Sequence, residues 1–314
     1  MNAENTPGRP RAEITAPMHR ETVRVRPGRT NAELAALVPH PAADANKYTR
    51  GHLSLVVGSA AYPGAACLAS AAGERAGAGY TEVFCAGKSM ITVRGWRPSL
   101  VVRDWHTWKP ERVATPRADR PAACVIGCGF DAEERALTSL LMETVRAYPG
   151  PLLIDGGALT LLANATGLRL CRRRAEAGLP TVLTPHGGEA ARLARGAQVN
   201  ETLEPPALAC ALADAYRAVV ALKGPTTFIA SSDDTVEAMD RGTAALAKAG
   251  TGDVLAGLIG SLLAQGIAPR DAAALGCALH AEAGRAAADA LTDICVSAED
   301  LITYLPAALR ALEP

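Results

Sequence analysis

Short apolar runs that alternate with longer helical stretches constrain the fold of this 314-residue chain more than any other feature. Several runs end in glycine, and most are followed by a segment rich in Ala and Leu. This alternation is typical of βα units, in which helices cover both faces of a mostly parallel sheet. The predicted strands are 52–58, 80–87, 123–129, 151–157, 181–188 and 218–224. Two further β-like runs around 231–234 predict a hairpin.

The composition argues against several classes of protein. Apolar residues make up 49% of the chain, which is ample for a core. Lys plus Arg and Asp plus Glu number 32 each, so no net charge attracts nucleic acid. The eight cysteines form no C-x-x-C pair and mostly have apolar neighbours, which predicts reduced core residues. Because no apolar run suits a signal peptide or a membrane span, we expect a cytoplasmic protein without nucleic-acid or membrane partners.

The first thirty residues differ from the remainder of the chain. Residues 1–30 are rich in Pro, Arg, Thr and Glu and carry little periodic apolar signal, which predicts a disordered tail. Residues 31–314 contain no internal repeat and no linker that would divide a core. We therefore expect a single domain over 31–314, in which helices dominate from Gly252 onward and the first of them stops near Gly266.

The segment "GTGD", residues 250–253, leads directly into an apolar helix. Glycines let backbone N–H groups approach a phosphate closely, and a helix N-terminus adds unpaired donors and partial positive charge. The pattern therefore favours an anion site. Asp253 has two interpretations that both stay open: a helix-starting residue that complements the dipole, or a general base beside bound phosphates.

Other polar residues fall where predicted strands end, the edge at which parallel sheets bind ligands. Lys223 can face a phosphate as a point charge, although plain turn chemistry explains it equally well. His186 lies on a strand-end turn, whereas His52 is interpreted as a surface residue and His280 as a helix residue rather than a ligand. Asp155 can help to hold Mg²⁺ through water. No G-x-G-x-x-G follows the first predicted strand, which disfavours a Rossmann dehydrogenase.

Taken together, these segments resemble one family, the ribokinase-like NAD(P)H-hydrate dehydratases, which repair hydrated NADH and NADPH. The resemblance runs from about residue 38 to about residue 305, and its most specific part is "TPHGGE" and "KGPTT" followed by "GTGDVLAG". It implies a three-layer α/β/α sandwich with a mostly parallel central sheet. It also implies a hydro-lyase that uses ADP or ATP, with Mg²⁺, to dehydrate the S epimer of the hydrates, NADHX and NADPHX. The ring hydroxyl would be phosphorylated before elimination.

The resemblance also implies roles for individual residues. Asp253 would lie nearest the chemistry and take the hydroxyl proton. The phosphates would be held by Gly250, Thr251 and Gly252. The adenine-nucleotide segment would be Lys223, Gly224, Pro225, Thr226 and Thr227. The hydrated dinucleotide would contact Ala65, Gly129, His186 and Asp253. The family likeness further suggests a homotetramer, and we expect no fused epimerase domain because only about 40 residues precede the first matching segment.

Three residues depart from the usual pattern of the family. Cys128 replaces the proline of the usual G-P-G-L, and Gly187 replaces the usual proline after His186. Ala249 replaces a common glycine before the "GTGD" loop. Two alternatives to the dehydratase remain. One is a small-molecule kinase of the same superfamily, acting on a vitamin precursor or a sugar, which would share the loop. The other is a nucleotide-binding protein without catalysis. "TPHGGE" and "YPGA" favour the dehydratase.

Overall fold

All six predicted strands lie in one ten-stranded sheet of the computed structural model, which describes residues 23–233 and 235–312. The strands are β1 (Arg24–Pro27), β2 (His52–Val56), β3 (Tyr80–Cys85), β4 (Val101–Asp104), β5 (Ala122–Ile126), β6 (Leu152–Ile154), β7 (Thr181–Leu183), β8 (Val219–Leu222), β9 (Thr227–Ala230) and β10 (Thr235–Met239). The helices are α1 (Asn31–Ala35), α2 (Pro63–Arg75), α3 (Met90–Trp96), α4 (Arg135–Ala147), α5 (Gly157–Leu162), α6 (Ala165–Glu176), α7 (Gly187–Ala197), α8 (Pro205–Tyr216), α9 (Thr251–Ala264), α10 (Pro269–Leu291) and α11 (Ala298–Leu312).

The sheet order is β1-β10-β9-β8-β7-β6-β5-β2-β3-β4. Among the described strands only β9 runs against its neighbours, and it forms the predicted hairpin with β10. Along β2, Leu53 and Leu55 face one buried cluster while Val56 faces the other, as the two-residue period of a strand requires. Helices α1–α3 and α9–α11 cover the first face and α4–α8 the second. The predicted three-layer α/β/α fold with a mostly parallel sheet is therefore confirmed.

Small residues allow α2 and α9 to approach each other closely. A Cβ atom added at Gly257 of α9 would lie 2.1 Å from the carbonyl oxygen of Ala69 in α2. A Cβ atom at Gly260 would lie 2.2 Å from the Val125 side chain of β5. No larger residue fits at either position, because interiors are packed to near crystalline density. The glycines thus seat α9 directly on the sheet, with its first turn near the carboxyl ends of the strands.

The prediction of a disordered tail over residues 1–30 is wrong for its last part. Residues 1–22 lie outside the described residues, but Arg24–Pro27 form β1, which pairs in parallel with β10. The physical reason is Glu237 of β10, which is fully buried. Its carboxylate forms ion pairs with two arginines. Arg26 Nη2 lies 3.1 Å from one carboxylate oxygen, and Arg29 Nε lies 3.4 Å from the other. Since a buried carboxylate needs compensating donors, the arginines that made the segment resemble a tail hold it in place.

Two predictions drawn from composition can be compared with the coordinates. Seven of the eight cysteines are buried and none forms a disulfide, whereas Cys295 is exposed. The interpretation as core residues is therefore confirmed for all but Cys295. None of the helices in 23–233 and 235–312 combines the length and the apolar character that a bilayer crossing requires.

Candidate active site

A buried ion pair joins the ends of two strands of the sheet. Asp155 directly follows β6, Lys223 directly follows β8, and Thr184 follows β7 between them. Lys223 Nζ donates to Asp155 Oδ1 over 2.8 Å, and Thr184 Oγ1 donates to the same oxygen over 2.6 Å. Because neighbouring parallel strands end at the same edge, these three side chains meet although they are far apart in sequence.

Asp253, the third residue of α9, lies beside this pair. One carboxylate oxygen each of Asp155 and Asp253 and the Sγ atom of Cys128 all lie within 4.8 Å of one another. Burial, reinforced by the negative charge of Asp155, raises the pKa of Asp253 to about 7, although Lys223 opposes the shift. A carboxyl group that titrates near neutral pH can both take up and release a proton during a reaction.

Cys128 fills the position where the family usually has proline. Its thiol is buried and lies 3.8 Å from Asp155 Oδ2, a distance suited to a weak S–H donor. Burial and the charge of Asp155 raise the pKa of the Cys128 thiol well above its usual value. Cys128 is therefore a protonated thiol that donates to the carboxylate cluster, not a nucleophile.

The glycine loop before α9 has a backbone that only glycine adopts easily. Gly250 has φ +91°, and a Cβ atom there would lie 2.6 Å from Leu68 Cδ1. A Cβ atom at Gly252 would lie 3.4 Å from Lys223 Nζ, so the ammonium group sits over this glycine. The Thr251 hydroxyl donates within the loop, to the Leu246 and Lys248 carbonyls at 2.9 Å each. The first-turn N–H groups of α9 thus face the same space as the Lys223 ammonium group.

A cavity of about 590 Å³ opens at this edge of the sheet. Its walls include Lys223, Gly224, Pro225, Thr227, Thr251, Gly252 and His186, all of which were predicted from the sequence. Two predicted nucleotide residues lie outside the lining. The Thr226 hydroxyl donates to Asp240 Oδ1 over 3.2 Å, and Gly250 lies behind the loop against Leu68. Lys223, the glycine loop and His186 therefore surround one cavity, which is large enough for a nucleotide.

His186 is held at the cavity by the start of α7. It is the N-cap residue of that helix, and its Nδ1 accepts from Gly188 N at 3.0 Å. The backbone N–H of His186 donates to Glu189 Oε2 over 2.9 Å, which completes a capping box. Lys223 N donates to Pro185 O over 2.8 Å and so ties this turn to the end of β8. The imidazole of His186 is therefore fixed on both sides, since its Nε2 lies 3.5 Å from Glu189 Oε1.

Ala65 and Gly129, predicted to contact the dinucleotide, lie against each other. Gly129 has φ +68°, and a Cβ atom there would lie 2.6 Å from Ala65 Cβ. Gly129 also follows Cys128, whose thiol reaches Asp155. The two groups of predicted contacts, dinucleotide and nucleotide, therefore border the same carboxylate cluster.

Three residues of the site escaped the sequence interpretation as ligands or partners. Thr184 binds Asp155, as described above, and Glu189 has a pKa raised by burial and by Asp155. His280 of α10 lines the cavity, and its Nε2 lies 2.9 Å from the Thr251 carbonyl oxygen. Burial lowers the pKa of His280 to about 4, so the neutral ring donates to that carbonyl. Thr184 could have been recognised because it lies within the predicted strand 181–188, whereas His280 lies in a helix that is remote in sequence.

A nearly parallel sheet, a glycine-led helix with a buried carboxylate in its first turn and a strand-end lysine opposite define a ribokinase-like α/β protein. Within that class, the chain belongs to the NAD(P)H-hydrate dehydratase family, whose model matches residues 53–307. The resemblance identified from the sequence is thus confirmed.

Individual relatives agree with this assignment. A bifunctional NAD(P)H-hydrate repair enzyme of Mycobacterium leprae is 36% identical over 289 residues, which cover 90% of this chain and 55% of that protein. An ADP-dependent (S)-NAD(P)H-hydrate dehydratase of Xanthomonas campestris is 33% identical over 280 residues, or 87% and 93% of the two chains. A solved structure also matches, that of the ADP/ATP-dependent NAD(P)H-hydrate dehydratase of Bacillus subtilis crystallised with ATP and Mg²⁺. It superposes with a TM-score of 0.75 and is 26% identical in sequence, and the match covers 93% of this chain and 100% of the other. The chain spans about half the length of the bifunctional relatives.

Proposed function

We propose that this chain is a cytoplasmic ADP- or ATP-dependent dehydratase of (S)-NADHX and (S)-NADPHX, a hydro-lyase that restores NADH and NADPH. One observation carries the proposal: Asp253, with a pKa of about 7, directly follows Gly252 of the cavity wall, and its carboxylate lies within 4.8 Å of the Sγ atom of Cys128, the residue before Gly129. The named activity of the Xanthomonas relative supports the substrate, and the ATP of the Bacillus crystal supports the adenine nucleotide.

The first chemical step is phosphoryl transfer. Asp253 takes the proton of the ring hydroxyl while the hydroxyl oxygen attacks the terminal phosphorus of the nucleotide, and the bond to the leaving AMP or ADP breaks. Lys223 and the N-terminus of α9 stabilise the charge that develops on the phosphate oxygens. Positioning and electrostatics supply the catalysis, because direct phosphoryl transfer to a hydroxyl needs no covalent intermediate on the protein.

The second step is elimination. Hydroxide is a poor leaving group and phosphate a good one, so the phosphorylated ring carbon loses phosphate as its C–O bond breaks. A proton leaves the adjacent ring carbon, and its electron pair forms the double bond of the reduced nicotinamide. The overall change consumes one hydrate and one nucleotide, and the removed water is accounted for in the inorganic phosphate released.

The carboxylates of the site fit a magnesium ion. Asp155 and Asp253 place oxygen atoms close together, and the nearby positive charge comes from Lys223. Asp155 would hold Mg²⁺ through water, because the ion favours few carboxylates and keeps much of its hydration, and this leaves Asp253 to take the hydroxyl proton; the Cys128 thiol is too soft a ligand for the ion. When bound, the ion would supply charge neutralisation at the transferred phosphoryl group.

A direct assay tests the proposal. The protein is incubated with (S)-NADHX or (S)-NADPHX and with ADP or ATP, and the absorbance of reduced nicotinamide is followed. Return of NADH or NADPH with either nucleotide is the expected result. Phosphorylation of a vitamin precursor or sugar without any such return would identify the kinase alternative. Calorimetric binding of nucleotide with neither activity would identify a non-catalytic binding protein.

We also propose the homotetramer that the family likeness suggests. Ile91 and Trp96 of the short helix α3 expose 80% and 43% of their surface, which supports contact with another copy. Light scattering in solution tests the assembly, and a monomeric mass would contradict it.

A further inference from the structure

A second cavity, of about 740 Å³, lies away from the active site. His52 and Ala122 at its floor are the first residues of β2 and β5, whereas the active site lies at the carboxyl ends of the strands. Residues 107–121 contribute much of its wall. It shares no lining residue with the nucleotide-sized cavity. The proposed dehydratase reaction therefore does not account for it.

The walls of this second cavity are strongly basic. Its cationic side chains are Arg103, Lys109, Arg112, Arg117 and Arg120, and Glu82 is the one carboxylate among its lining residues. Arg103 pairs with Glu82, and Arg117 pairs with Asp119 at 2.8 Å. Within 23–233 and 235–312, the other three cations, Lys109, Arg112 and Arg120, have no ion pair. A concave surface lined by unpaired charge of one sign concentrates ligands of the opposite sign.

His52 gives a second sign of a ligand site. Its Nε2 atom is buried, lies 3.5 Å from Glu82 Oε2 and has no hydrogen-bond partner among the described residues. The interpretation of His52 as a surface residue holds for part of its ring, 34% of the side chain being exposed, but not for Nε2, which faces the cavity that the segment 107–121 helps to enclose. Buried polar atoms are almost always satisfied in native proteins. An atom left unsatisfied inside a cavity is one that a ligand can satisfy.

An aromatic ring stands at the rim of the cavity. Tyr48 exposes 49% of its surface, and the Arg120 guanidinium carbon lies 5.7 Å from the centre of its ring. This contact holds Arg120 beside a flat surface of the kind on which a base stacks. Arginine recognises phosphate through two parallel hydrogen bonds, so Arg112 and Arg120 suit the oxygens of a phosphate chain.

We propose that this basic cavity binds a small polyphosphate anion, of the class that nucleoside triphosphates carry. Three unpaired cations offset much of the negative charge of a triphosphate, and the volume exceeds that of the nucleotide-sized cavity at the active site. The site is separate from the dehydratase centre, so each molecule of protein offers two places for phosphate chains.

The experiment uses the full chain saturated with ADP, which fills the active-site cavity. Sodium tripolyphosphate is added while heat is recorded; ATP is titrated separately, and the heat of ATP exchanging with ADP at the active site, measured in the Arg112→Ala/Arg120→Ala variant, is subtracted. We expect one further binding event per chain. The affinity for it should fall at least tenfold in the double variant Arg112→Ala/Arg120→Ala and several-fold in Lys109→Ala. The matched control is Arg169→Ala/Arg310→Ala, which removes two exposed charges elsewhere and should bind as the unaltered protein does.

Each outcome of the titrations decides the matter. Equal affinity for tripolyphosphate and ATP supports the proposal and shows that the site recognises the phosphate chain alone. Tighter binding of ATP supports the proposal and shows that the base also contributes, by stacking on Tyr48. Absence of a further event in the ADP-saturated protein overturns the proposal, as does an equal loss of affinity in the control. The NADHX assay tests the dehydratase independently, since it depends on Asp253 and not on these arginines.

Discussion

Lys223 Nζ lies 2.8 Å from Asp155 Oδ1, and this ion pair determines the electrostatics around Asp253. The charge of Asp155 raises the pKa of Asp253, and the charge of Lys223 lowers it. Removing both charges from water is unfavourable, so the pair is not explained by stability alone. Its position beside the first turn of α9 gives it a role in the chemistry proposed for Asp253.

The exchange of Asp253 for asparagine separates the two interpretations of this residue. Asp253→Asn keeps the size of the side chain and its place in the first turn but cannot take a proton. We expect turnover of NADHX to fall by about 100-fold or more, the scale of general-base loss, while ADP affinity changes by no more than a few-fold. Near-normal turnover would leave Asp253 as a helix-starting residue. Asp289→Asn, an exposed aspartate on α10, is the control and should change neither quantity.

The rate should depend on pH through Asp253. Because the pKa of Asp253 is about 7, kcat/KM should rise as pH increases through 7 and the base loses its proton. Asp155→Asn removes a negative neighbour, so the pKa of Asp253 falls and the acidic limb of the profile moves to lower pH. Glu189→Gln should move it in the same direction by less, since Glu189 makes a smaller contribution. An acidic limb that stays in place in Asp155→Asn would show that another group titrates.

The central strands were predictable from the sequence, whereas the edge strands were not. Strands β2, β3 and β5–β8 are mostly apolar because helices cover both of their faces. Strands β1 and β4 lie at the two edges of the sheet and consist of "RVRP" and "VVRD". An edge strand is partly solvated and favours charged residues, so it lacks the apolar run that identifies a buried strand. This explains why β1 was mistaken for part of a tail.

The candidate site was predictable wherever the residues follow a strand or open a helix. Lys223 and Asp155 could be placed at one edge because parallel strands end together, although their direct contact could not be foreseen. Only Thr227 of the threonine pair lines the cavity, because Thr226 precedes β9 and its hydroxyl donates to Asp240 instead. His280 reaches the loop from α10 through tertiary packing, which no local pattern encodes.

The carboxyl group of Asp253 should also make the stability of the fold depend on pH. The pKa of Asp253 is about 7 in the folded protein and near 3.8, the usual value for an aspartate, in the unfolded chain. Between these values the folded state holds more protons, so the free energy of unfolding falls as pH rises through this window. Asp253→Asn has no carboxyl group to ionise at this position, so the variant does not lose this part of the free energy of unfolding as pH rises. We expect the variant to melt at a higher temperature than the unaltered protein above pH 7, with the gain vanishing below pH 3.8. A gain of equal size at every pH would exclude this origin.

Gly187 offers a stabilising substitution, because it occupies the first position of α7, where proline is common and no N–H is needed. His186 has φ −82° and ψ 171°, the extended backbone that a residue before proline prefers, and a Cβ atom at Gly187 would meet no atom within 4 Å. Gly187→Pro restricts the unfolded chain and should raise the free energy of unfolding in urea by about 0.5 kcal/mol.

The neighbouring glycine provides the control for that substitution. Gly188→Pro removes the N–H that donates to His186 Nδ1 over 3.0 Å, so it should lower the free energy of unfolding. It should also raise KM for NADHX, because the imidazole of His186 loses the bond that orients it. If both substitutions destabilised the protein to the same extent, the start of α7 would not tolerate proline at all. The Gly187 departure from the family would then reflect a strained turn and not a tolerant one.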